Sequence, residues 1–216
     1  MNNKLDLQER YNEFCIKTNT SKQDELCGNL HVFEIEKFII NKLINPKKIL
    51  DVGCGTGHRM FDYYSSIGIK FKGVEKFQNL INDSRYSDLI LQDDVLSTTF
   101  FNKYYNRIDI DYDLVVCFGG VVNGFLNETS RVFGWLNLIK LAKGKCPIVI
   151  SILSNQEIFE SSENGKLMQF DFNFPHQYLY SRREIFKILK DNNIKTKFVL
   201  QEYLNNDLII IFLVLE

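Results

Sequence analysis

The 216-residue sequence has no excess of charge of either sign, because 26 Lys and Arg residues face 27 Asp and Glu residues. Proteins that bind nucleic acids through the phosphates usually carry a basic excess or a basic patch. The balance therefore argues against a nucleic-acid partner and leaves only a local basic patch as an alternative. No segment reads as a basic helix for a membrane surface.

Cysteines and long apolar runs are also scarce. The five cysteines are odd in number and include no C-x-x-C pair, a pattern that favours neither a disulfide framework nor a zinc site. The most apolar run, Leu208 to Leu215, is too short to span a bilayer, and the first residues lack the apolar core of a signal peptide. We expect a reduced, cytoplasmic protein without a membrane segment and without a metal.

Proline is rare as well, and no Pro/Gly-rich linker divides the chain, which has only three prolines. Hydrophobic residues make up 45% and charged residues 25% of the sequence, as in ordinary globular domains. We predict one domain at residues 46–216, preceded by a helical extension or lid at residues 1–45.

Strand and helix patterns alternate over most of this domain. Short, mostly apolar runs predict strands at residues 48–52, 71–75, 89–91, 113–118 and 148–153, with helical patterns between the first strands and at 127–143. Two further strands, 197–204 and 208–215, are separated by only three residues, which permits an antiparallel hairpin but no parallel crossover. The pattern predicts an α/β fold with a doubly wound sheet, mainly parallel, with one antiparallel strand in a C-terminal hairpin.

The strongest functional motif begins at the end of the first predicted strand and has the sequence Asp51-Val-Gly53-Cys54-Gly55-Thr-Gly57. A glycine-rich turn between a strand and a helix brings backbone N–H groups close to a ligand. The spacing is G-x-G-x-G, and no lysine of the P-loop type follows, which excludes a Walker phosphate cradle. The alternative is a glycine turn without a ligand.

Glu75 ends the second predicted strand, about 20 residues after the glycine turn. A carboxylate in that position can accept hydrogen bonds from two ribose hydroxyls. Alone it could be an ordinary surface acid, but the glycine turn upstream favours a nucleoside site.

Together these segments resemble class I S-adenosylmethionine-dependent methyltransferases, over about residues 46 to 216. The resemblance implies a Rossmann-like sheet and S-adenosylmethionine as the cofactor. It implies that Asp51 helps to orient the amino group of the cofactor, that Asp94 accepts from the adenine amine, and that Val95 packs on the adenine ring. The segment from Asp113 to Gly119 resembles the fourth-strand motif of this family, which ends beside the methionine moiety. The cofactor-binding residues that it implies are Asp51, Gly53, Cys54, Gly55, Gly57, Glu75, Lys76, Asp94, Val95 and Phe118.

The acceptor is less constrained. Residues 118–123 lack the Asn/Asp-Pro-Pro-Tyr signature of the adenine-DNA and protein-glutamine branches, and Cys117 and Phe118 stand where metal-dependent members carry an aspartate. The long segment 154–180 is rich in aromatic residues and contains His176, which is either a general base or a hydrogen-bonded loop histidine. Asn127 either contacts the substrate or caps its helix, and Asn123 is a further candidate for a substrate contact.

The predicted function is methyl transfer from S-adenosylmethionine to an oxygen or nitrogen of a small molecule. One alternative is an RNA or protein methyltransferase, for which a basic strip at residues 182–190 would serve. The other is a non-catalytic scaffold that keeps the fold. For the first 29 residues, Tyr11 and Phe14 either close over the cofactor or simply pack on the domain.

Overall fold

A computed structural model describes residues 30–105, 112–142, 145–168, 177–203 and 208–215. Its strands are β1 (Lys48–Val52), β2 (Lys70–Glu75), β3 (Ile90–Gln92), β4 (Leu114–Cys117), β5 (Ile148–Asn155), β6 (Lys166–Met168), β7 (Gln177–Leu179), β8 (Thr196–Tyr203) and β9 (Leu208–Leu215). Its α-helices are α1 (Leu30–Phe38), α2 (His58–Ser66), α3 (Gln78–Asn82), α4 (Phe100–Tyr105), α5 (Glu128–Ala142), α6 (Gln156–Ser161) and α7 (Arg182–Asp191). A π-helical turn (Ile39–Ile44) continues α1, and 3₁₀ turns occupy Ser87–Leu89 and Val121–Gly124.

Seven strands form one sheet in the order β3-β2-β1-β4-β5-β9-β8. The pairs from β3 to β5 are parallel, whereas β9 is antiparallel to both β5 and β8. Only β9 therefore runs against the others. This confirms the predicted α/β class and the single reversed strand in a C-terminal hairpin. The remaining strands, β6 and β7, form a separate antiparallel pair.

Helices cover both faces of the sheet, and a hydrophobic core lies under each cover. One core joins α1, α2 and α3 to the sheet, and the other joins α4, α5 and α7 to the opposite face. Residues 209–215 of β9 are all buried, as expected for a strand with helices on both sides.

The first helix belongs to one of these cores. Ile35 of α1 and Ile39 and Ile40 of the π turn are buried against Ile49 of β1. The turn ends at Asn45, which adopts a left-handed conformation with φ of 53°. Pro46 follows, and the residue before a proline resists the right-handed helical conformation. Of the predicted extension at residues 1–45, residues 30–45 form α1, the π turn and its end at Asn45, and the rest lies outside the described residues.

Helix α5 turns a different side to the core than its sequence pattern suggested. Helical spacing in the sequence favours an apolar face of Val132, Trp135, Leu136 and Ile139, but Val132 is 51% exposed. The buried face is instead centred on Trp135, Leu138 and Ile139. The reason is geometric: positions 135, 138 and 139 already fill one helical stripe, and Val132 lies at its solvent edge.

No helix in the described ranges combines the length and the apolar character that a membrane crossing requires.

Candidate cofactor site

The site lies where the carboxyl ends of β1 and β4 meet. The chain builds β2 and β3 outward on one side of β1 and then returns to place β4 on its other side. In open α/β sheets, ligands bind in the crevice outside the strand ends at this reversal of strand order. The glycine turn leaves β1 at this point and leads directly into α2.

The glycine turn is fixed by packing at its two ends and is open in the middle. Gly53, Gly55 and Gly57 all have positive φ angles, of 75°, 59° and 71°. A Cβ atom at Gly53 would lie 2.5 Å from Val121 Cγ2, and one at Gly57 would overlap the ring of Phe61. A Cβ atom at Gly55 would meet nothing within 4 Å. The turn thus leaves room over Gly55, where a ligand can approach the backbone.

Glu75 connects the end of β2 to this turn. Its Oε2 atom accepts a hydrogen bond of 2.9 Å from the backbone N–H of Gly55, and Oε1 accepts from Lys76 and Phe77 at 2.8 and 3.0 Å. The residue is 5% exposed. Burial raises the pKa of Glu75, and the three N–H donors oppose that rise. A carboxylate has about four acceptor positions, so these three bonds leave about one position for a ribose hydroxyl.

The segment after β3 places Asp94 beside Lys76. The Lys76 Nζ atom lies 2.9 Å from Asp94 Oδ2, and Asp94 Oδ1 accepts from the N–H of Leu96 at 2.9 Å. Both side chains of the ion pair are about one third exposed. The preceding Asp93 faces elsewhere, since it accepts from Lys103 at 2.9 Å and from Tyr104 at 3.0 Å. Of these two acids, Asp94 is therefore the one that pairs with Lys76, the residue after Glu75.

Val95 and Phe118 are both buried among other side chains. Val95 is 8% exposed and packs into the core beneath α4 and α5, where its carbonyl oxygen accepts from Asn137 at 2.6 Å. Phe118 is 4% exposed and packs edge to face on Phe212 of β9, with 6.4 Å between the ring centroids. Their contacts with a cofactor stay predictions.

A buried charge cluster lies under the glycine turn. Asp51 at the end of β1 is 3% exposed and accepts from the hydroxyl of Tyr64 at 3.3 Å. Arg59 of α2 pairs with Glu36 of α1, with 3.0 Å between Nη2 and Oε2. Burial raises the pKa of Asp51 and that of Glu36 to about 7, and Arg59 opposes both shifts.

The sequence reading missed Glu36 and Arg59. Glu36 is fully buried, and it lies four residues after Val32 and four before Ile40 on the buried side of its helix. A single acid in such an apolar stripe is a signal that a buried partner must exist. Nothing in the sequence indicated that Arg59 is that partner, because the pair joins two helices.

Comparison with known families decides the relationship. Residues 22–198 match the family model described as tellurite resistance protein TehB. The chain belongs to the TehB family. A comparison with curated proteins found no match.

Solved structures with a similar fold include several methyltransferases. A S-adenosylmethionine-dependent methyltransferase from Clostridium acetobutylicum ATCC 824 superposes with a TM-score of 0.56, 14% identity and coverage of 91% of this chain and 92% of that chain. The glycopeptide N-methyltransferase MtfA, complexed with S-adenosylmethionine, superposes with a TM-score of 0.60 and 12% identity, over 84% of this chain and 86% of that chain. The Burkholderia thailandensis 1,6-didemethyltoxoflavin-N1-methyltransferase, with bound 1,6-didemethyltoxoflavin and S-adenosylhomocysteine, superposes with a TM-score of 0.58 and 12% identity, over 98% of this chain and 86% of that chain.

The predicted methyltransferase family and its cofactor, S-adenosylmethionine, agree with neighbours of the same fold that hold this cofactor or its product. At identities of 12 to 14% the neighbours share the fold with this TehB-family protein. The role of each site residue remains a prediction.

Two residues considered for substrate contacts, Asn123 and Asn127, form hydrogen bonds within the TehB-family chain itself. Asn123 is fully buried, donates to the carbonyl oxygens of Leu153 and Tyr178 at 2.7 Å each, and accepts from the N–H of Leu153 at 2.9 Å. These bonds fix the loop after β4 to β5 and β7, so Asn123 does not face a substrate. Asn127 accepts from the N–H of Ser130 at 2.8 Å and caps α5.

The other candidates on this side fall outside the described residues. These are His176 with the aromatic stretch before it, and Tyr11 and Phe14. Across the described ranges, no cluster of three or more His, Cys, Asp or Glu side chains has the arrangement of a metal site.

Proposed function

We propose that this TehB-family protein holds S-adenosylmethionine over the Gly53–Gly57 turn and transfers its methyl group to a nitrogen or oxygen of a small molecule. The observation that carries the proposal is the open space over Gly55, next to the buried carboxylate of Glu75. A glycine that packing does not require, in a left-handed conformation beside an acid, is what a nucleoside ligand at a strand end needs.

The bound cofactor supplies an activated methyl group on a sulfonium, so the chain needs little covalent machinery. In this proposal Glu75 accepts a hydrogen bond from the ribose, and Asp94, which also pairs with Lys76, accepts one from the adenine amine. Asp51 contributes negative charge under the turn. The remaining task of the protein is to hold the acceptor in line at about 3–3.5 Å, and a base is required only when the acceptor must lose a proton.

A small acceptor is supported by the charge balance and by two structural neighbours. The net charge of −1 provides little attraction for RNA phosphates. MtfA and the toxoflavin enzyme are N-methyltransferases of a glycopeptide and of 1,6-didemethyltoxoflavin. An acceptor screen should therefore start with amines, amides and hydroxylated small molecules. Tellurite should also be tested as an acceptor, because the matching family is described as a tellurite resistance protein. The odd number of cysteines and the absence of a C-x-x-C pair support a reducing, cytoplasmic setting.

Thermal unfolding with S-adenosylmethionine, S-adenosylhomocysteine and NAD tests the cofactor site. At a ligand concentration of 100 times Kd, binding stabilises the native state by about 2.7 kcal/mol. For a chain of this length the Tm should rise by roughly 5–11 °C with both adenosyl ligands and stay unchanged with NAD. Equal Tm values in all samples would refute the proposed site. Binding without methyl transfer to any acceptor would favour the scaffold alternative.

His176 is proposed as a general base for acceptors that must lose a proton. Replacing it with asparagine should lower kcat by about 10²–10⁴-fold, the usual contribution of such a group, while the Kd of the cofactor stays the same. The measurement is a pH–rate profile of both proteins with the best acceptor found. A normal kcat across the pH range would remove His176 from the mechanism, and methyl transfer by positioning alone would remain.

A further inference from the structure

Asn137 is a polar residue on the buried side of α5, with only 6% of its surface exposed. Its buried neighbours on the helix are apolar and include Trp135, Leu138 and Ile139. A buried amide is costly unless it forms hydrogen bonds, and asparagine stabilises a helix interior less than leucine or alanine does. The role of Asn137 therefore lies in a contact outside its own helix.

The side chain of Asn137 binds the segment that follows β3. Its Nδ2 atom donates a hydrogen bond of 2.6 Å to the carbonyl oxygen of Val95 and one of 2.9 Å to the carbonyl oxygen of Ser97. Strand β3 ends at Gln92, so both acceptors lie just beyond the carboxyl end of a strand. Asn137 thus connects a helix that covers the sheet to the edge where the candidate cofactor site lies.

The two carbonyl oxygens belong to a tight turn that begins at Asp94. The N–H of Ser97 donates to the carbonyl oxygen of Asp94 at 2.8 Å, which closes a β-turn. The N–H of Leu96 donates to Oδ1 of Asp94 at 2.9 Å, so the direction of this carboxylate depends on the conformation of the turn. A donor that fixes the carbonyl oxygens of the turn therefore also fixes the Asp94 side chain.

The carboxylate of Asp94 stays accessible while the turn is held from behind. Its Oδ2 atom pairs with Lys76 at 2.9 Å, and both side chains of this pair are about one third exposed. The two bonds of Asn137 end on backbone oxygens of the turn, so neither carboxylate oxygen is used by them. The buried amide and a ligand at Asp94 can therefore act on the turn at the same time.

We propose that Asn137 is a positioning residue for base recognition: it holds the Asp94–Ser97 turn so that the Asp94 carboxylate accepts a hydrogen bond from the 6-amino group of adenine. The inference rests on the proposed function, since it requires an adenosyl ligand at the glycine turn. Asn137 acts through the turn and does not touch the ligand. It determines selectivity between bases, because a displaced carboxylate no longer favours a base that carries an amino donor.

Selectivity between two ligands distinguishes this role from general support of the fold. S-adenosylhomocysteine and its 6-deamino analogue, which carries unsubstituted purine in place of adenine, differ only in the amino group. A hydrogen bond to a charged group is worth about tenfold or more in Kd. Calorimetric titration of the wild-type protein should therefore give a Kd for the analogue that is about tenfold higher or more. A general loss of stability would weaken both ligands alike and leave this ratio unchanged.

The variant Asn137→Ala should reduce the ratio of the two Kd values to about twofold or less, because the shared contact is lost. Tyr112→Phe is the matched control. Tyr112 is 3% exposed, and its hydroxyl donates to the carbonyl oxygen of Leu141 in α5 at 3.1 Å. Tyr112 precedes β4 whereas Asp94 follows the parallel strand β3, so the control removes a buried hydrogen bond to the same helix at the opposite edge of the sheet. Both variants should have a lower Tm, but Tyr112→Phe should keep the wild-type ratio.

Three results would overturn the inference and leave the proposed cofactor site intact: a wild-type ratio near one, an unchanged ratio in Asn137→Ala, or an equal fall of the ratio in both variants. Absence of binding of S-adenosylhomocysteine to the wild-type protein would overturn the proposed function as well. A melting curve reports whether Asn137→Ala folds. If it does not, hydrogen exchange of the wild-type protein decides: the N–H groups of Leu96 and Ser97 should exchange slowly before any ligand is added, and fast exchange that slows only on binding would overturn the inference.

Discussion

Replacing Glu75 with alanine is expected to raise the Kd of S-adenosylmethionine by roughly ten- to a hundredfold. The Oε2 atom of Glu75 accepts from the N–H of Gly55, and Oε1 accepts from two further N–H groups. A hydrogen bond to a charged group contributes about 1.5–3 kcal/mol. The variant would lose any bonds to the ribose and would also release the glycine turn from β2. Calorimetric titration gives the Kd, and a melting curve of the free protein should show a lower Tm.

The two consequences of losing Glu75 can be separated with ligands. If the ribose hydroxyls donate to this carboxylate, a deoxyribose analogue of S-adenosylhomocysteine should bind the wild-type protein more weakly than S-adenosylhomocysteine does. The same pair of ligands should bind Glu75→Ala with nearly equal Kd values, because the shared interaction is already absent. A constant ratio of Kd values in both proteins would mean that Glu75 only supports the turn.

Much of the fold could be predicted from local patterns because its strands are short, mostly apolar and separated by turns or helical segments. The run before Gly53 predicted β1 at its observed bounds, and the three residues between 204 and 208 were enough to require a reversed strand. The helical pattern between the second and third strands continues over residues 77–86, but α3 ends at Asn82 and a 3₁₀ turn follows at Ser87–Leu89. Segment ends of this kind depend on tertiary hydrogen bonds such as that between Ser84 Oγ and the carbonyl oxygen of Thr56.

The site could be predicted where a ligand imposes a spacing on the sequence, and not where only tertiary packing decides. The glycine turn and Glu75 belong to the first kind. Glu36 and Arg59 belong to the second, since their contact joins positions on two helices and follows from how α1 and α2 pack on β1. Asn123 is a similar case: a buried asparagine that joins β5 and β7 has the same sequence signature as a substrate contact. Such residues are recognised only when their partners are known.

The glycine turn allows stability and binding to be tested independently, by comparing Gly57→Ala with Gly55→Ala. Both positions have left-handed φ angles, so a side chain at either costs about 1–2 kcal/mol. At Gly57 the new Cβ would also overlap the ring of Phe61, and overpacking adds about 1–3 kcal/mol. We expect Gly57→Ala to lose roughly 2–5 kcal/mol of stability and therefore roughly 4–20 °C in Tm.

Gly55→Ala should show the opposite balance, because a Cβ there meets nothing within 4 Å of the chain. The free protein should lose only the conformational cost, whereas a ligand over the turn would collide with the new methyl group. We expect the Kd of S-adenosylmethionine to rise by at least about tenfold, a loss of about 1.4 kcal/mol or more. Melting curves without ligand and titrations with the cofactor measure the two effects. Normal affinity in Gly55→Ala would mean that the space over Gly55 is not occupied by the ligand, and the cofactor would have to approach the strand ends from another side.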